Sequence, residues 1–233
     1  MSARDRPRVL ERAVTAHGEF VLRQRGEDLE LIADGVFLMS TADARSERLL
    51  ATVPLAAHPR PRHVFVAGLG LGVTAAAALA DPRVQAVTVV ELEPRVVAWQ
   101  REHPAPAAGR VVDDPRVTVI VADLRTVLDG TPAPSPADVA CLDVDNGPGW
   151  TLTARNRELY EHPALRRLAG LLAPDGLAAF WSAAADAGFA ARLQTVFGAV
   201  AEHEVPVPRG EPDRVIVAGR RVPDPGGGGA PPA

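Results

Sequence analysis

The chain has 233 residues, of which 47% are hydrophobic and 23% charged, and it carries a formal net charge of −4. This balance predicts one substantial α/β core, and the mildly acidic charge excludes recruitment of nucleic acid or an acidic membrane surface by a basic field. The chain contains no lysine, which excludes any mechanism that needs one.

Cysteine and histidine usage argue against metal and redox chemistry. Cys141 is the single cysteine, so an internal disulfide and a cysteine-based zinc site are excluded, and its apolar surroundings predict a buried thiol. The six histidines have no ligand spacing, which predicts no metal. The N-terminus lacks an apolar signal segment and no run reaches membrane-spanning length, so we expect a cytoplasmic protein.

Residues 1–57 are predicted to form a small β-meander and a connecting helix. Residues 1–17 are mixed and charged and predict at most a short helix or strand. Three short strands follow at about 19–25, 28–33 and 36–39, separated by Arg25-Gly26-Glu27 and the hairpin dipeptide Asp34-Gly35. Helical spacing of apolar residues predicts a helix over 46–57. A sheet this small should pack on the main domain.

Residues 63–222 alternate between strand and helix patterns, which predicts a mostly parallel sheet covered on both faces. We predict strands at 63–67, 85–90, 117–122, 138–143, 177–182, 199–205 and 214–218. Helices are predicted near 73–80, 94–102, 124–129, 155–172 and 186–197. A short link between the last two strands favours an antiparallel hairpin, so the domain has the seven-stranded Rossmann-like arrangement of S-adenosylmethionine-dependent transferases. The Gly- and Pro-rich residues 223–233 predict a disordered tail.

The stretch from His63 to Ala80 predicts a strand, a tight glycine turn and a helix, which opens a nucleotide-binding unit. The turn contains Gly68, Gly70 and Gly72 at alternate positions, which lets the backbone approach a ligand closely. A dinucleotide fingerprint needs a small residue at position 73, where this chain has Val73. The pattern therefore favours a nucleotide ligand without a pyrophosphate.

Acids follow the next two predicted strands. Glu91 lies about 20 residues beyond the glycines, where a carboxylate can accept both hydroxyls of a ribose. Asp123 ends the third strand, where an acid can meet an adenine amino group. Each acid alone could simply favour a helix N-terminus. The glycine turn, Glu91 and Asp123 lie at the carboxyl ends of three consecutive strands and should line one crevice. Together they predict adenosine binding.

The fourth strand ends in Asp143, Val144, Asp145 and Asn146, followed by a Gly-Pro loop and Trp150. This position lies beyond the nucleotide, where the reacting group should sit. The alternative is an Asx-rich turn that only caps the next segment. Trp150 and Trp181 are candidates to wall the acceptor pocket, although a strand tryptophan such as Trp181 is more often part of the core.

With these motifs the sequence resembles the spermidine/spermine synthase family of polyamine aminopropyltransferases, from about Glu19 to Ala218. The resemblance implies decarboxylated S-adenosylmethionine as donor and a di- or polyamine as acceptor. It implies that Glu91 holds the ribose, that Asp123 and Leu124 hold the adenine, and that Asp143 orients and deprotonates the attacking amine. Asp145 or Asn146 would give a second contact. Related enzymes are commonly dimers or tetramers, so a homo-oligomer, most simply a dimer, is expected.

Departures from the family pattern keep two alternatives open. The family has an acid in the glycine loop where this chain has Leu71, and a polyamine-binding tyrosine where it has Arg45. The second acid of the catalytic loop falls on Asn146. One alternative is a methyltransferase that uses intact S-adenosylmethionine, which Leu71 and the missing tyrosine favour. The other is a catalytically silent nucleotide-binding homologue, against which the retained Glu91, Asp123 and Asp143 argue.

Overall fold

The N-terminal sheet has four antiparallel strands. The computed structural model describes residues 6–151, 154–208 and 210–220. Its first sheet has the spatial order β1 (Arg8–Thr15), β2 (Gly18–Arg25), β3 (Asp28–Ala33) and β4 (Val36–Ser40). The prediction of a three-stranded meander was one strand short. Strand β1 is an edge strand with no fully buried residue, and its charged residues Arg8, Glu11 and Arg12 obscure the alternation that identifies a strand.

The second sheet has seven strands and confirms the predicted fold class. Its spatial order is β10-β11-β9-β8-β5-β6-β7. The five strands from β9 to β7 are parallel, and β11 runs antiparallel to both β9 and β10. The strands are β5 (His63–Ala67), β6 (Ala86–Glu91), β7 (Val117–Val121), β8 (Ala137–Leu142), β9 (Leu172–Ser182), β10 (Ala199–Val205) and β11 (Asp213–Gly219).

Six α-helices connect these strands in the described part of the chain. They are α1 (Arg45–Ala57), α2 (Val73–Leu79), α3 (Pro94–Glu102), α4 (Leu124–Leu128), α5 (His162–Leu171) and α6 (Ala187–Phe197). Short 3₁₀ turns cover Thr41–Asp43, Val111–Asp113 and Ala154–Tyr160. No helix among the described residues has the length and apolar character needed to cross a membrane.

The segment from 154 to 182 differs most from the prediction. A single helix over 155–172 was wrong, because Ala154–Tyr160 form 3₁₀ turns and α5 starts only at His162. Pro163 occupies the first turn of α5, a position that proline favours and that marks a helix start. Strand β9 begins at Leu172 rather than 177; Leu172 and Ala173 are partly buried, and Pro174 and Asp175 are exposed. The predicted tail at 223–233 lies outside the described residues.

Both faces of the seven-stranded sheet are buried, as an α/β sheet of this kind requires. One face packs with the N-terminal sheet and α1 to α3, through residues such as Leu50, Val66 and Trp99. The other packs under α4 to α6, through residues such as Phe65, Leu165 and Phe180. Cys141 is fully buried within β8, and this burial raises the pKa of its thiol. The predicted inert thiol is therefore consistent with the structure.

Candidate active site

The glycine loop lies between β5 and α2 and is shaped by close backbone contacts. Gly68 has φ +91°, and a Cβ there would lie 2.1 Å from the carbonyl oxygen of Asp143. Gly70 has φ +50°, and a Cβ there would lie 2.6 Å from Met39 Sδ. Gly72 occupies the N-cap of α2. The loop is thus wedged between the end of β8 and strand β4, which leaves no room for side chains at its first two glycines.

Glu91 is the last residue of β6 and ties the glycine loop to the next strand end. Its Oε2 accepts from the Leu69 N–H at 2.8 Å, and its Oε1 accepts from the Glu93 N–H at 2.8 Å. Burial raises the pKa of Glu91, while these backbone hydrogen bonds oppose the rise. The Leu92 N–H is a third backbone donor to this carboxyl, and a carboxylate offers about four acceptor positions, so it can still accept from a ligand hydroxyl.

Asp123 caps helix α4 and is engaged by a neighbouring arginine. Its Oδ1 accepts from the Arg125 N–H at 2.9 Å, and its Oδ2 pairs with the Arg125 guanidinium. Burial acts to raise the pKa of Asp123, but the hydrogen bonds and charge of Arg125 outweigh it and lower the pKa. Leu124 is buried beside it and lines the same cavity. Asp123 therefore caps a helix, which was the alternative interpretation of this acid. It also forms part of the cavity wall.

Asp143 follows β8, and its surroundings disfavour its charged form. Burial first, and then the negative charges of Glu47, Asp213 and Glu91, raise its pKa from 3.8 to about 8. Nearby, the hydroxyl of Ser46 lies 2.7 Å from Asp213 Oδ2 and 3.0 Å from Glu47 Oε2. A hydroxyl has one hydrogen to donate, so one of these two carboxyls must itself be protonated to satisfy both contacts.

Of the two polar residues that follow Asp143, Asp145 lines the cavity and Asn146 does not. Asp145 adopts φ +56°, accepts from Asn156 Nδ2 at 2.8 Å and lines the cavity. Asn146 is buried outside the cavity lining, and its carbonyl oxygen accepts from the Ala183 N–H at 3.2 Å. Of the two predicted second contacts, only Asp145 is placed to act.

A single cavity of about 180 Å³ brings most of the predicted site residues together. Gly68, Gly70, Glu91, Asp123, Leu124, Asp143 and Asp145 all line it. Gly72 does not line it, and neither predicted tryptophan does. Trp150 is 57% exposed, whereas Trp181 packs against the core, as its strand position suggested.

The N-terminal sheet supplies a wall of this cavity that the sequence did not reveal. Its contribution comes from the tips and edges of hairpins, namely His17, Phe20, Ala33, Asp34 and Leu38. The Asp34-Gly35 turn was predicted only as a hairpin turn. In the structure Asp34 adopts φ +49°, and its Oδ1 accepts from the Glu19 N–H at 2.8 Å, which joins the two hairpin tips over the glycine loop.

The cavity wall is strongly acidic. Among the described residues that line it, His17 is the only basic side chain. Six carboxylic acids face it: Asp34, Glu91, Glu93, Asp123, Asp143 and Asp145. An imbalance of this kind in a concave site attracts cationic ligands and repels anionic ones.

Leu71 points away from this cavity. Its side chain is 6% exposed and lines a small separate cavity with apolar residues of the N-terminal sheet and α3, including Leu22, Leu31 and Val96. Its N–H donates to Met39 Sδ at 3.2 Å. An apolar residue at this position is therefore explained by packing of the N-terminal sheet.

A seven-stranded α/β sheet with a cavity at the carboxyl ends of β5, β6, β7 and β8 defines the class of open α/β proteins that bind ligands at their strand ends. Residues 44–184, more than half of the chain, match the family model described as spermine/spermidine synthase domain. The chain therefore belongs to the spermine/spermidine synthase family.

Similar proteins agree with this family. A polyamine aminopropyltransferase 2 of Pseudomonas aeruginosa is 32% identical over 191 residues, which is 78% of this chain and 53% of the relative. A polyamine aminopropyltransferase of Mycobacterium tuberculosis is 32% identical over 164 residues, which is 70% of this chain and 30% of the relative. This chain thus spans about half the length of the first relative and about a third of the second.

Solved structures share the fold. A spermidine synthase in complex with the transition state analogue AdoDATO superposes with a TM-score of 0.80 at 18% identity, over 93% of this chain and 75% of that chain. Spermidine synthase from Thermotoga maritima superposes with a TM-score of 0.77 at 19% identity, over 93% and 74% of the two chains. At these identities the likeness concerns the fold alone.

Proposed function

We propose that the chain transfers an aminopropyl group from decarboxylated S-adenosylmethionine to a di- or polyamine. The glycine loop gives a close backbone approach for the nucleoside, and Glu91 keeps lone pairs free for ribose hydroxyls. Asp123 and Leu124 would flank the adenine. The residues of the cavity thus fit an adenosyl sulfonium as co-substrate.

The acidic cavity wall is the observation that favours one transferred group, aminopropyl or methyl, over the other. Decarboxylated S-adenosylmethionine bears a sulfonium and an ammonium, and an amine acceptor is also cationic in water. Intact S-adenosylmethionine adds a carboxylate, and the described cavity lining contains no arginine to bind it, while its one histidine already contacts Glu93. This imbalance favours aminopropyl transfer over methyl transfer. Leu71, one of the two departures that favoured methyl transfer, is buried outside this cavity, so packing accounts for its apolar character.

Asp143 is the proposed general base. The cationic acceptor nitrogen first gives a proton to the Asp143 carboxylate, and the neutral nitrogen then forms a bond to the carbon beside the sulfonium. The carbon–sulfur bond breaks with its electron pair moving to sulfur, so the products are neutral 5′-methylthioadenosine and an aminopropylated ammonium. A base with a pKa of about 8 suits this task, because it holds a proton well yet is substantially ionised at mildly alkaline pH.

The acids behind Asp143 support an amine as the acceptor. Glu47 and Asp213 both act to raise the pKa of Asp143, so a cationic nitrogen beside that carboxyl would relieve mutual repulsion among the three acids. Asp145 lines the cavity near Asp143 and is the second acceptor contact in this proposal. A homo-oligomer, a cytoplasmic location and independence from metal remain predictions from sequence.

Calorimetry with the two donors tests the proposal. We expect decarboxylated S-adenosylmethionine to bind at least tenfold more tightly than the intact form, followed by mass-spectrometric detection of the aminopropylated amine and of 5′-methylthioadenosine. A preference for intact S-adenosylmethionine would instead support methyl transfer. Binding of neither donor would support the silent homologue.

A further inference from the structure

We propose that Glu11, Glu102 and His103 form a zinc-binding site that joins strand β1 to the end of helix α3. Each residue offers one ligand atom, a carboxylate oxygen or an imidazole nitrogen, and the three atoms lie within 4.8 Å of one another. None of the three residues lines the donor cavity. The site is therefore separate from the proposed reaction, and this inference does not rest on the proposed function.

A β-bulge in β1 directs Glu11 towards α3. Val9 pairs with Arg23 and Glu11 pairs with Leu22, so Leu10 is an extra residue in this strand. Successive side chains of a regular strand point to opposite faces, and a bulge bends the strand and re-aims them. Here Leu10 packs against the core, while the adjacent Glu11 places its Oε1 3.1 Å from His103 Nε2.

The end of α3 brings the other two ligands together. Helix α3 ends at Glu102, and His103 is its C-cap, with φ −129° and ψ 65°. Neighbouring residues within a helix do not face each other, but the change of backbone direction at His103 lets both residues present a ligand atom to Glu11. Glu11 and His103 are 92 positions apart, so the spacing of histidines along the chain could not reveal this cluster.

The two carboxylates of the cluster have no guanidinium to balance them. Arg12, which follows Glu11, pairs with an acid of β2, and Arg101, which precedes Glu102, pairs with an acid beyond α3. In the described part of the chain, no arginine pairs with Glu11 or Glu102. A metal dication balances two carboxylates and takes an imidazole in its neutral form. The charge of the cluster therefore matches a divalent cation.

The donor set and the distances favour zinc among the divalent cations. Zinc accepts imidazole nitrogen together with carboxylate oxygen, whereas Mg²⁺ and Ca²⁺ prefer oxygen alone. Zinc–ligand bonds of about 2.0–2.2 Å in a tetrahedron separate the ligand atoms by about 3.3–3.6 Å, close to the 3.1 Å between Glu11 and His103. Glu102 is exposed, so rotation of its side chain can complete the set, with water as the fourth ligand.

Zinc bound here would stabilise the docking of the N-terminal sheet. His103 also lines the small cavity between that sheet and α3, beside Leu71 of the glycine loop. A ligand that binds only the folded chain raises its Tm by mass action. We expect calorimetry of the full, untagged and chelator-treated chain with zinc chloride to show one ion per chain. At a zinc concentration 100-fold above Kd, the Tm should rise by about 5–11 °C, and the same concentration of Mg²⁺ should not change it.

Substitutions of the ligands test where the ion binds. Glu102→Gln removes one ligand from an exposed position, so the variant should fold normally and bind zinc at least about tenfold more weakly. His103→Ala should weaken binding by a similar or larger factor. Glu102→His supplies a nitrogen ligand in place of the carboxylate and should retain zinc binding.

Two matched controls should leave zinc affinity unchanged. Glu27→Gln removes an exposed glutamate of the same sheet, and His17→Ala removes the other histidine that pairs with a glutamate between the sheets. A wild-type Tm that does not rise with zinc overturns this inference. Wild-type zinc affinity in Glu102→Gln and His103→Ala also overturns it, as does loss of binding in His17→Ala alone, which would place the ion in the acidic donor cavity.

Discussion

Replacing Asp143 by asparagine is expected to abolish turnover and to stabilise the fold at alkaline pH. The pKa of Asp143 rises from 3.8 to about 8 on folding, and one pH unit of difference corresponds to about 1.4 kcal/mol. The ionisation of Asp143 in the folded protein can therefore lower the free energy of unfolding by at most about 5–6 kcal/mol. Because the carboxyl faces a water-accessible cavity, solvent screening reduces this, and we expect about 1–3 kcal/mol.

The sign of the effect depends on pH. Between about pH 4 and pH 8 the folded protein holds a proton on Asp143 that the unfolded chain has released. Raising the pH through this window destabilises wild type relative to Asp143→Asn. The difference in the free energy of unfolding should be near zero below pH 4 and should level off above pH 8. Urea unfolding at a series of pH values measures it, and turnover should fall by at least about 100-fold.

Asp114→Asn provides a control of opposite sign. Hydrogen bonds from Arg116 lower the pKa of Asp114, so its replacement should cost stability at neutral pH and cost nothing at strongly acidic pH. An Asp143→Asn variant that is less stable than wild type at pH 8, or whose difference from wild type does not change with pH, would refute the reasoning about the buried carboxyl.

Two further substitutions test the donor end of the site. Glu91→Gln should weaken 5′-methylthioadenosine binding at least about tenfold and lower the free energy of unfolding in urea by about 1.5–3 kcal/mol. The reason is that an amide can accept from only one of the two N–H groups of Leu69 and Glu93. Unchanged affinity would show that Glu91 does not bind the ribose. Leu71→Asp should destabilise the protein by about 2 kcal/mol or more without improving donor affinity, since it buries a carboxyl in a mostly apolar cavity that also contains Gln100 and His103. The control Leu71→Met should cost less than about 1.5 kcal/mol, and tighter donor binding by the aspartate variant would contradict the observed orientation.

The sheet and three of its site acids were predictable because their signals are local. Each parallel strand is an apolar run; Glu91 is the last residue of β6, and Asp123 and Asp143 follow β7 and β8 within two residues. Parallel strands bring their carboxyl ends to one edge of the sheet, so Glu91, Asp123 and Asp143 had to converge. The same rule could not decide what each carboxyl does there. The pairing of Asp123 with Arg125 depends on side-chain placement rather than on spacing.

The N-terminal wall could not be predicted, because it arises from contacts between distant segments. No local pattern shows that the β1–β2 hairpin tip reaches Glu93, which is 76 residues away from His17. The orientation of Leu71 has the same origin. It is flanked by Gly70 and Gly72, both with positive φ, so alternation along the loop does not tell which side chain faces the ligand. The sequence shows that Leu71 in the loop is apolar but does not show in which direction its side chain points.

The distribution of charge connects these parts of the site. The chain carries 25 basic and 29 acidic residues, yet the described cavity lining contains six acids and a single histidine. Arginines elsewhere form surface ion pairs, such as those of Arg83 with Asp81 and Arg116 with Asp114. Asp123 and Glu93 have basic partners in Arg125 and His17, and a cationic donor and acceptor would relieve repulsion among the other acids on binding. Glu91 belongs to this lining and also contributes to the raised pKa of Asp143, after burial, Glu47 and Asp213, so the electrostatics of the proposed base and of the ligand cavity are coupled through Glu91.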